Sequence, residues 1–510
     1  MEKMKTQICT LLLLSTLILS SCTDLNETVY SNIPMNQFFN SEQDLLMNAG
    51  RAYTKLQPYP FEQGLWSLVT VSSDECVIPE REDGTYWDNG RWDELQKHNV
   101  SSNNKINRLA WEYVFGGITA CNEVIYETES STLQFEGKNK IMAEIKVLRA
   151  LFYYWGIDAW GDIPFATNFT DKSLPKKKSR AFIFNFIEKE IKDNISLLDS
   201  TVSTKNYGRV TQGMAHTLLA KLYLNAEVWT GTPRWEEAEQ MCDKVIQSGQ
   251  YQLEDNYFTN FSIHNETSKE NISVIVYSST LTTENFIWYD MTLNEMSRYT
   301  YNINDTPWDG FMTQPDFFTK YSDNDGRKKS WLYGQQLDIN GKKLFEISGT
   351  GDTIWFVYNP IFPETKYRSR FKWDGARCGK YEFQTNGLQY DVVDMENDFV
   401  IFRYGDVVMM KAESMMRQGK TAQAVELPEF KRLRTRVGLT PYTASQLTLD
   451  ELLDERGREF AWEGHRRQDL IRFGKWNNQW FAKPYTTTQS VFPIPQTAID
   501  TNPNLAGNPE

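Results

Sequence analysis

The chain has 510 residues, 40% of them hydrophobic and 24% charged, with 67 acidic against 54 basic side chains and a formal net charge of −13. That balance excludes nucleic-acid binding through a phosphate-neutralising basic surface, and the length allows two or three domains or one large body with insertions. Aromatic residues reach 14%, with 16 Trp and 25 Tyr, more ring types carrying a polar group than core filling asks for, so some of them are expected to face a ligand.

Lys3 and Lys5 precede an apolar run from Ile8 to Leu19 that ends in Leu19-Ser20-Ser21-Cys22. The charge, apolar, small-residue order predicts a secretory leader over 1–21. The run is shorter than the roughly 20 residues that span a bilayer. Cleavage before Cys22 would leave a thiol able to carry a diacylglycerol thioether beside an amide-linked chain, and two acyl groups are what stable anchoring takes. Acidic Asp24 and Glu27 then suit export to an outer surface. The remaining cysteines beyond Cys9, namely Cys76, Cys121, Cys242 and Cys378, are scattered with no C-x-x-C pair, so neither a zinc site nor a disulfide framework is signalled.

Residues 40–57 show helical spacing behind Ser41 as an N-cap, and 111–126 shows it again. The intervening stretch 74–100 is broken by Pro79, Gly84, Asp88, Asn89 and Gly90 and reads as an elaborated loop. Residues 138–160 predict a long amphipathic helix stopped by Gly161 and Pro164. Helices over 181–198 and 211–228 follow, then one from Trp235 ending at Ser248-Gly249. The pairing of Ala220, Tyr223 and Leu224 with Trp235 and Ala238 across Gly231 to Pro233 resembles a tetratricopeptide hairpin, and 406–417 with 428–436 is a second candidate. From 257 to 399 the helical period fades, a strand is expected over 272–277, and the stretch predicts an irregular insertion with a functional surface. The proline-rich tail 491–505 is expected to run extended over the body.

Several segments resemble one family in the right order. They are Leu148-Arg149-Ala150-Leu151-Phe152-Tyr153-Tyr154 through Trp160-Gly161-Asp162-Ile163-Pro164, Arg209-Val210-Thr211 with Leu219 to Leu224, and Arg403-Tyr404-Gly405-Asp406 to Ala412-Glu413. The most specific runs from Leu452-Leu453-Asp454-Glu455-Arg456 to Glu463-Gly464-His465-Arg466-Arg467-Gln468-Asp469-Leu470. The chain resembles the SusD/RagB family of outer-membrane nutrient-binding lipoproteins of Bacteroidetes. Pro428 departs from the family pattern, although proline suits a first helical turn, and the tail ends without the usual Gly-Tyr. The resemblance implies a mainly α-helical body containing tetratricopeptide-type hairpins, an N-terminal region over 22–256, and a C-terminal region over 257–510 with the loop- and short-strand-rich insertion. It also implies an outer-membrane, lipid-anchored location facing the exterior, a SusC-like TonB-dependent transporter as partner, and a glycan or other nutrient as cargo.

The loop 74–92 is the sharper candidate site. Sugar C–H faces lie flat on indole or phenol, and sugar hydroxyls need planar partners. Tyr86, Trp87 and Trp92 offer faces; Asp74, Arg81, Asp88, Asn89 and Arg91 offer partners. Trp288, Tyr289, Tyr299, Tyr301, Trp308 and Phe311 could complete a platform from the insertion, with Trp331 and Trp373 as lesser candidates, and the resemblance favours Trp87, Trp288 and Trp308. Glu455, Glu459 and Glu463 invite a catalytic reading, but Arg456, Arg458, Arg466 and Arg467 interleave with them, and ion pairs that orient a helix are the better account. Four histidines, no H-E-x-x-H and no G-x-S-x-G leave metal and serine-hydrolase chemistry without a signal. Asp323-Asn324-Asp325-Gly326 lacks the glutamate of a calcium loop and reads as a turn. The sequence therefore predicts a non-enzymatic binder of oligosaccharide or polysaccharide, with no cofactor; a peptide-binding helical repeat is the alternative, and a glycoside hydrolase the enzymatic rival.

Overall fold

A computed structural model describes residues 39–81, 83–278, 281–282, 286–303, 306–346, 351–360, 373–383 and 395–507. The expected leader and Cys22 lie outside these residues.

Helix α1 (Glu42–Tyr53) starts where Ser41 and Asp44 form a reciprocal capping box, the two side chains satisfying backbone N–H groups that a helix leaves open. Then come α2 (Leu65–Val71), α3 (Arg91–Gln96), α4 (Lys105–Ser130), α5 (Lys138–Trp160) and α6 (Arg180–Asn194). Helix α5 packs between α4 and α6. It is less amphipathic than its sequence suggests, because from Ala143 to Trp160 only Lys146 escapes burial. A helix apolar all round is a central one. It stops at Gly161, whose φ of 73° closes the last turn.

Helices α7 (Gln212–Leu224) and α8 (Trp235–Gln247) pack on each other across the expected turn, and α8 also lies against α11 (Tyr404–Arg417). Between them in sequence, the insertion contributes short elements, including α9 (Trp288–Thr292) and α10 (Ser297–Tyr301). The predicted strand is β1 (Asn271–Ile275), paired antiparallel with β2 (Phe399–Arg403), and every residue of both is buried. The pair therefore runs through the interior and ties the two ends of the insertion together. Pro428 occupies the first turn of α12 (Pro428–Thr435), where a missing N–H costs nothing.

Helices α13 (Leu449–Phe460) and α14 (Arg466–Arg472) carry the charged motif. Its ion pairs are not a solvated i,i+4 lattice. Arg458 pairs locally with Glu455, but the main partners are remote: Arg327 bridges Glu455 and Glu459 at 3.0 and 2.9 Å, and Arg403 reaches Glu270, Glu459 and Glu463 at 2.7 to 2.9 Å, all fully buried. Burial outweighs helical spacing as the organising force, because a buried carboxylate must find a cation wherever the fold supplies one. Asp325, in the calcium-like run, caps its own turn and forks with Arg327.

The tail differs from expectation in one respect. Phe492 donates its N–H to Ala159 and Pro493 accepts from Asn107, as an extended strap would. Residues Gln496–Thr501, however, form a helix between prolines; Pro495 serves as its N-cap, a place where its fixed φ is no obstacle.

Candidate functional site

The loop 81–90 is built from unusual backbone. Arg81 and Thr85 share a hydrogen bond at 2.8 Å, and Gly84, Tyr86, Asp88, Asn89 and Gly90 all have φ between 46° and 85°. Left-handed non-glycine residues persist only where surroundings over-determine them. Here the anchors are visible. The Tyr86 ring is buried against Gly310, where a Cβ would lie 2.6 Å from its hydroxyl. The Asp88 carboxylate accepts from Trp92 Nε1 at 2.8 Å and pairs with Arg91 at 2.7 Å. Trp87, between these two anchors, is turned outward. Its indole lies over Gly90 and remains 49% exposed.

The insertion supplies a second exposed indole, Trp308. Trp308 and Phe311 donate their N–H groups to Asp290 and Met291 of α9 at 2.8 and 2.9 Å, and Asp309 donates to Leu293 at 3.0 Å. This seats 308–311 on α9. Two buried guanidinium groups then clamp it: Arg81 donates to the carbonyl of Gly310 at 2.9 Å, and Arg377 to those of Asp309 and Phe311 at 3.2 and 3.1 Å. Burial raises the Asp309 carboxyl to about 6, opposed by the two arginines. Burial and the neighbouring Arg81 charge lower Arg377 to about 9. Tyr86 and Arg81 thus join the loop to the insertion, and Trp308 stands 40% exposed on the same construction. Tyr299 of α10 is exposed nearby, with Arg298 over its ring at 4.8 Å and in hydrogen-bond reach of Thr306.

Trp308 also walls a groove of about 490 Å³, together with Phe61, Glu62, Gln63, Glu112, Tyr113 and others. That volume lies in the range of small-molecule sites. Burial holds the Glu62 carboxyl above its ordinary value, and Asp88 of the Trp87 loop adds to the same effect, so loop and groove share an electrostatic neighbourhood. Gln63 donates to Glu62 at 3.1 Å. Rings, carboxylates and an amide thus border one concavity, the combination that sugar faces and hydroxyls require.

The predicted site residues divide accordingly. Trp87, Asn89 and Trp308 are exposed, and Tyr301 is half-buried with its ring against Tyr289 and Phe383. Five others are corrected by burial. Trp92 and Trp288 are fully enclosed, Trp288 packing on Trp66 and Trp462 and donating Nε1 to Cys378 at 3.2 Å; they are core residues under the site. Tyr86 is the buried anchor just described. Asp74 is committed to Arg466, with oxygens at 2.7 and 2.8 Å, and Arg81 serves the backbone of Gly310 and Asp374. Phe311, Tyr289, Trp331 and Trp373 are likewise buried. Cys22 lies outside the described residues. Phe61, Glu62 and Gln63 are not among the residues the sequence pattern singles out, although the Pro58-Tyr59-Pro60-Phe61-Glu62-Gln63-Gly64 run carries a signal: proline and glycine bracket rings, an acid and an amide, as they do in the loop 74–92.

Among the described residues no group of three or more His, Cys, Asp or Glu side chains could hold a metal ion, and no helix is long and apolar enough to cross a membrane.

Fold and site together define a helix-rich scaffold on which distant loops assemble an aromatic-edged groove. The chain belongs to the SusD/RagB family: the profile of the SusD family matches residues 269–489, and one described as starch-binding, associating with outer membrane, matches 29–224. Among curated proteins it is similar to the starch-binding protein SusD of Bacteroides thetaiotaomicron, 27% identical, covering 86% of this chain and 83% of that one. SusD-like protein P38 of Formosa agariphila is 23% identical, with 93% of each chain covered. Among solved structures, surface glycan-binding protein A from Bacteroides thetaiotaomicron in complex with laminarihexaose superposes with a TM-score of 0.74 at 20% identity, covering 91% of this chain and 99% of that one.

Proposed function

We propose that this protein is a non-enzymatic, lipid-anchored surface protein of the outer membrane that holds oligosaccharide or polysaccharide and passes it to a SusC-like TonB-dependent transporter. The observation that carries the reading is the outward display of Trp87 and Trp308 from segments more than 200 residues apart, their loops joined through Tyr86, Arg81 and Gly310, with Trp308 walling the groove. A rigid pair of exposed rings is already in place for flat contact with sugar, so little ordering opposes binding. Family membership supports the same reading, as do the starch-binding activity named for SusD and the laminarihexaose held by the similar structure. The non-enzymatic part is supported by the three motif carboxylates, since Glu455, Glu459 and Glu463 are each buried against arginine or lysine. The anchor and transporter rest on the Cys22 motif and on the family.

Affinity electrophoresis of the purified protein through gels containing amylopectin, laminarin, xyloglucan, arabinoxylan or mannan tests the proposal. Retardation by at least one polysaccharide with no release of reducing ends is expected. Free mobility in all of them, or reducing-end release, would overturn it.

A further inference from the structure

Beyond Trp308 the insertion builds a second exposed surface of regular construction. Three segments around Gln336, Leu344 and Ile354 meet in a closed ring of main-chain hydrogen bonds. Gln336 donates to Ile354 at 2.9 Å, Ile354 to Leu344 at 2.9 Å, and Leu344 to Gln336 at 3.0 Å. Antiparallel pairs radiate from this ring: Gln335 with Trp355, Leu337 with Lys343, and Phe345 with Thr353. Directly paired residues share a face, and alternate residues along a strand do too. All six therefore point to one side, opposite Leu344 and Ile354, which are buried in a small core with Met296, Phe356 and Trp373.

The outer side of such a sheet is ordinarily polar. Here each of the three pairs sets one exposed apolar side chain beside one hydrogen-bonding side chain. Trp355 is 50% exposed next to Gln335, whose amide nitrogen donates to the carbonyls of Gln336 and Ile354; Phe345 is 51% exposed next to Thr353, and Leu337 is exposed next to Lys343. A dry protein interface groups its apolar side chains at the centre and moves polar ones to a rim. Alternation of ring with hydrogen-bonding group instead suits a ligand that is itself apolar-faced and hydroxyl-edged. The surface is also tied to the candidate site, because Ile339 donates to the carbonyl of Tyr299 at 2.9 Å and Thr300 donates to Leu337 at 2.7 Å.

We infer that Trp355 and Phe345 form a second carbohydrate-stacking subsite that engages a distal part of the same glycan chain held at Trp87 and Trp308. The ligand class is thereby an extended polysaccharide. This rests on the reading proposed above and extends it in length.

The experiment uses the polysaccharide, from the panel named above, that retards the wild-type protein. Partial hydrolysis and size fractionation give a short fraction and a long one, and calorimetry measures affinity per chain for each. Wild type is expected to bind the long fraction more tightly. A Trp355→Ala/Phe345→Ala double variant should match wild type on the short fraction and lose about fivefold or more on the long one. Because both rings are half exposed, its Tm should be unchanged. Equal length dependence in wild type and double variant would overturn the second subsite, as would a peptide or protein competing at Trp355 while glycan affinity stays intact. Unchanged binding of both fractions by Trp87→Ala/Trp308→Ala would instead overturn the primary site, and retention by no polysaccharide would overturn both.

Discussion

Glu75 is fully buried. Its Oε2 accepts the main-chain N–H of Trp462 at 2.9 Å, its own carbonyl accepts the Trp462 indole at 3.0 Å and the Thr313 hydroxyl at 3.0 Å, and its Oε1 has no hydrogen-bond partner among the described residues. The cations that act on it are committed elsewhere, Arg466 forked onto Asp74 and Lys380 paired with Glu463. Desolvation therefore dominates and raises the carboxyl from 4.5 to about 8. The folded chain keeps a proton that the unfolded chain releases above pH 4.5, so stability falls as pH rises from 4.5 towards 8. At about 1.4 kcal/mol per pH unit, the penalty reaches about 5 kcal/mol at the top of that window. Glu75→Gln keeps the shape and the Trp462 contact while removing the titration. Thermal unfolding of both proteins at half-unit steps from pH 4.5 to 8.5 should give similar Tm values at pH 4.5 and a gap of several degrees in favour of the variant at pH 8. Taking the difference between the two profiles cancels every other titrating group. Parallel profiles would refute the assignment of a neutral buried acid.

Three further outcomes follow from the packing. Arg403→Met leaves Glu270, Glu459 and Glu463 short of a shared buried cation, and a loss of about 3–5 kcal/mol should show in urea unfolding. Trp92→Ala removes a fully buried indole and its bond to Asp88; it should cost about 3–5 kcal/mol of stability, whereas Trp87→Ala should leave the urea midpoint where it is. Gly310→Ala would drive a methyl into the Tyr86 hydroxyl and the Met291 carbonyl; a lowered Tm together with weakened glycan retention is expected, because the same contact positions both indoles.

The helical body was legible because long apolar periodicities and a capping signal at Ser41 are local properties, and the β1 strand showed as a run of β-branched residues. The depth of burial was not. Whether α5 is amphipathic or central depends on what covers its second face, and that cover is the remote tail at Phe492 together with neighbouring helices. In the site, composition pointed to the loop 74–92 but could not rank its rings. Trp87 and Trp92 stand in equally polar surroundings, and what separates them is left-handed backbone at Tyr86, Asp88 and Asn89, which sends one indole out and its neighbour in. Arg81 and Asp74 looked like sugar partners because their chemistry is right. The fold spends both on holding main chain and an arginine across hundreds of residues, a demand that no local pattern reveals.

The account depends most directly on Trp87 and Trp308 meeting glycan with their exposed faces. Affinity electrophoresis of wild type and the Trp87→Ala/Trp308→Ala double variant, in the polysaccharide that retards wild type, measures this with Tm as the control for folding. At about 1–3 kcal/mol for each stacked ring, the double variant should lose tenfold or more in affinity with an unchanged Tm; equal retardation of the two proteins would contradict the account.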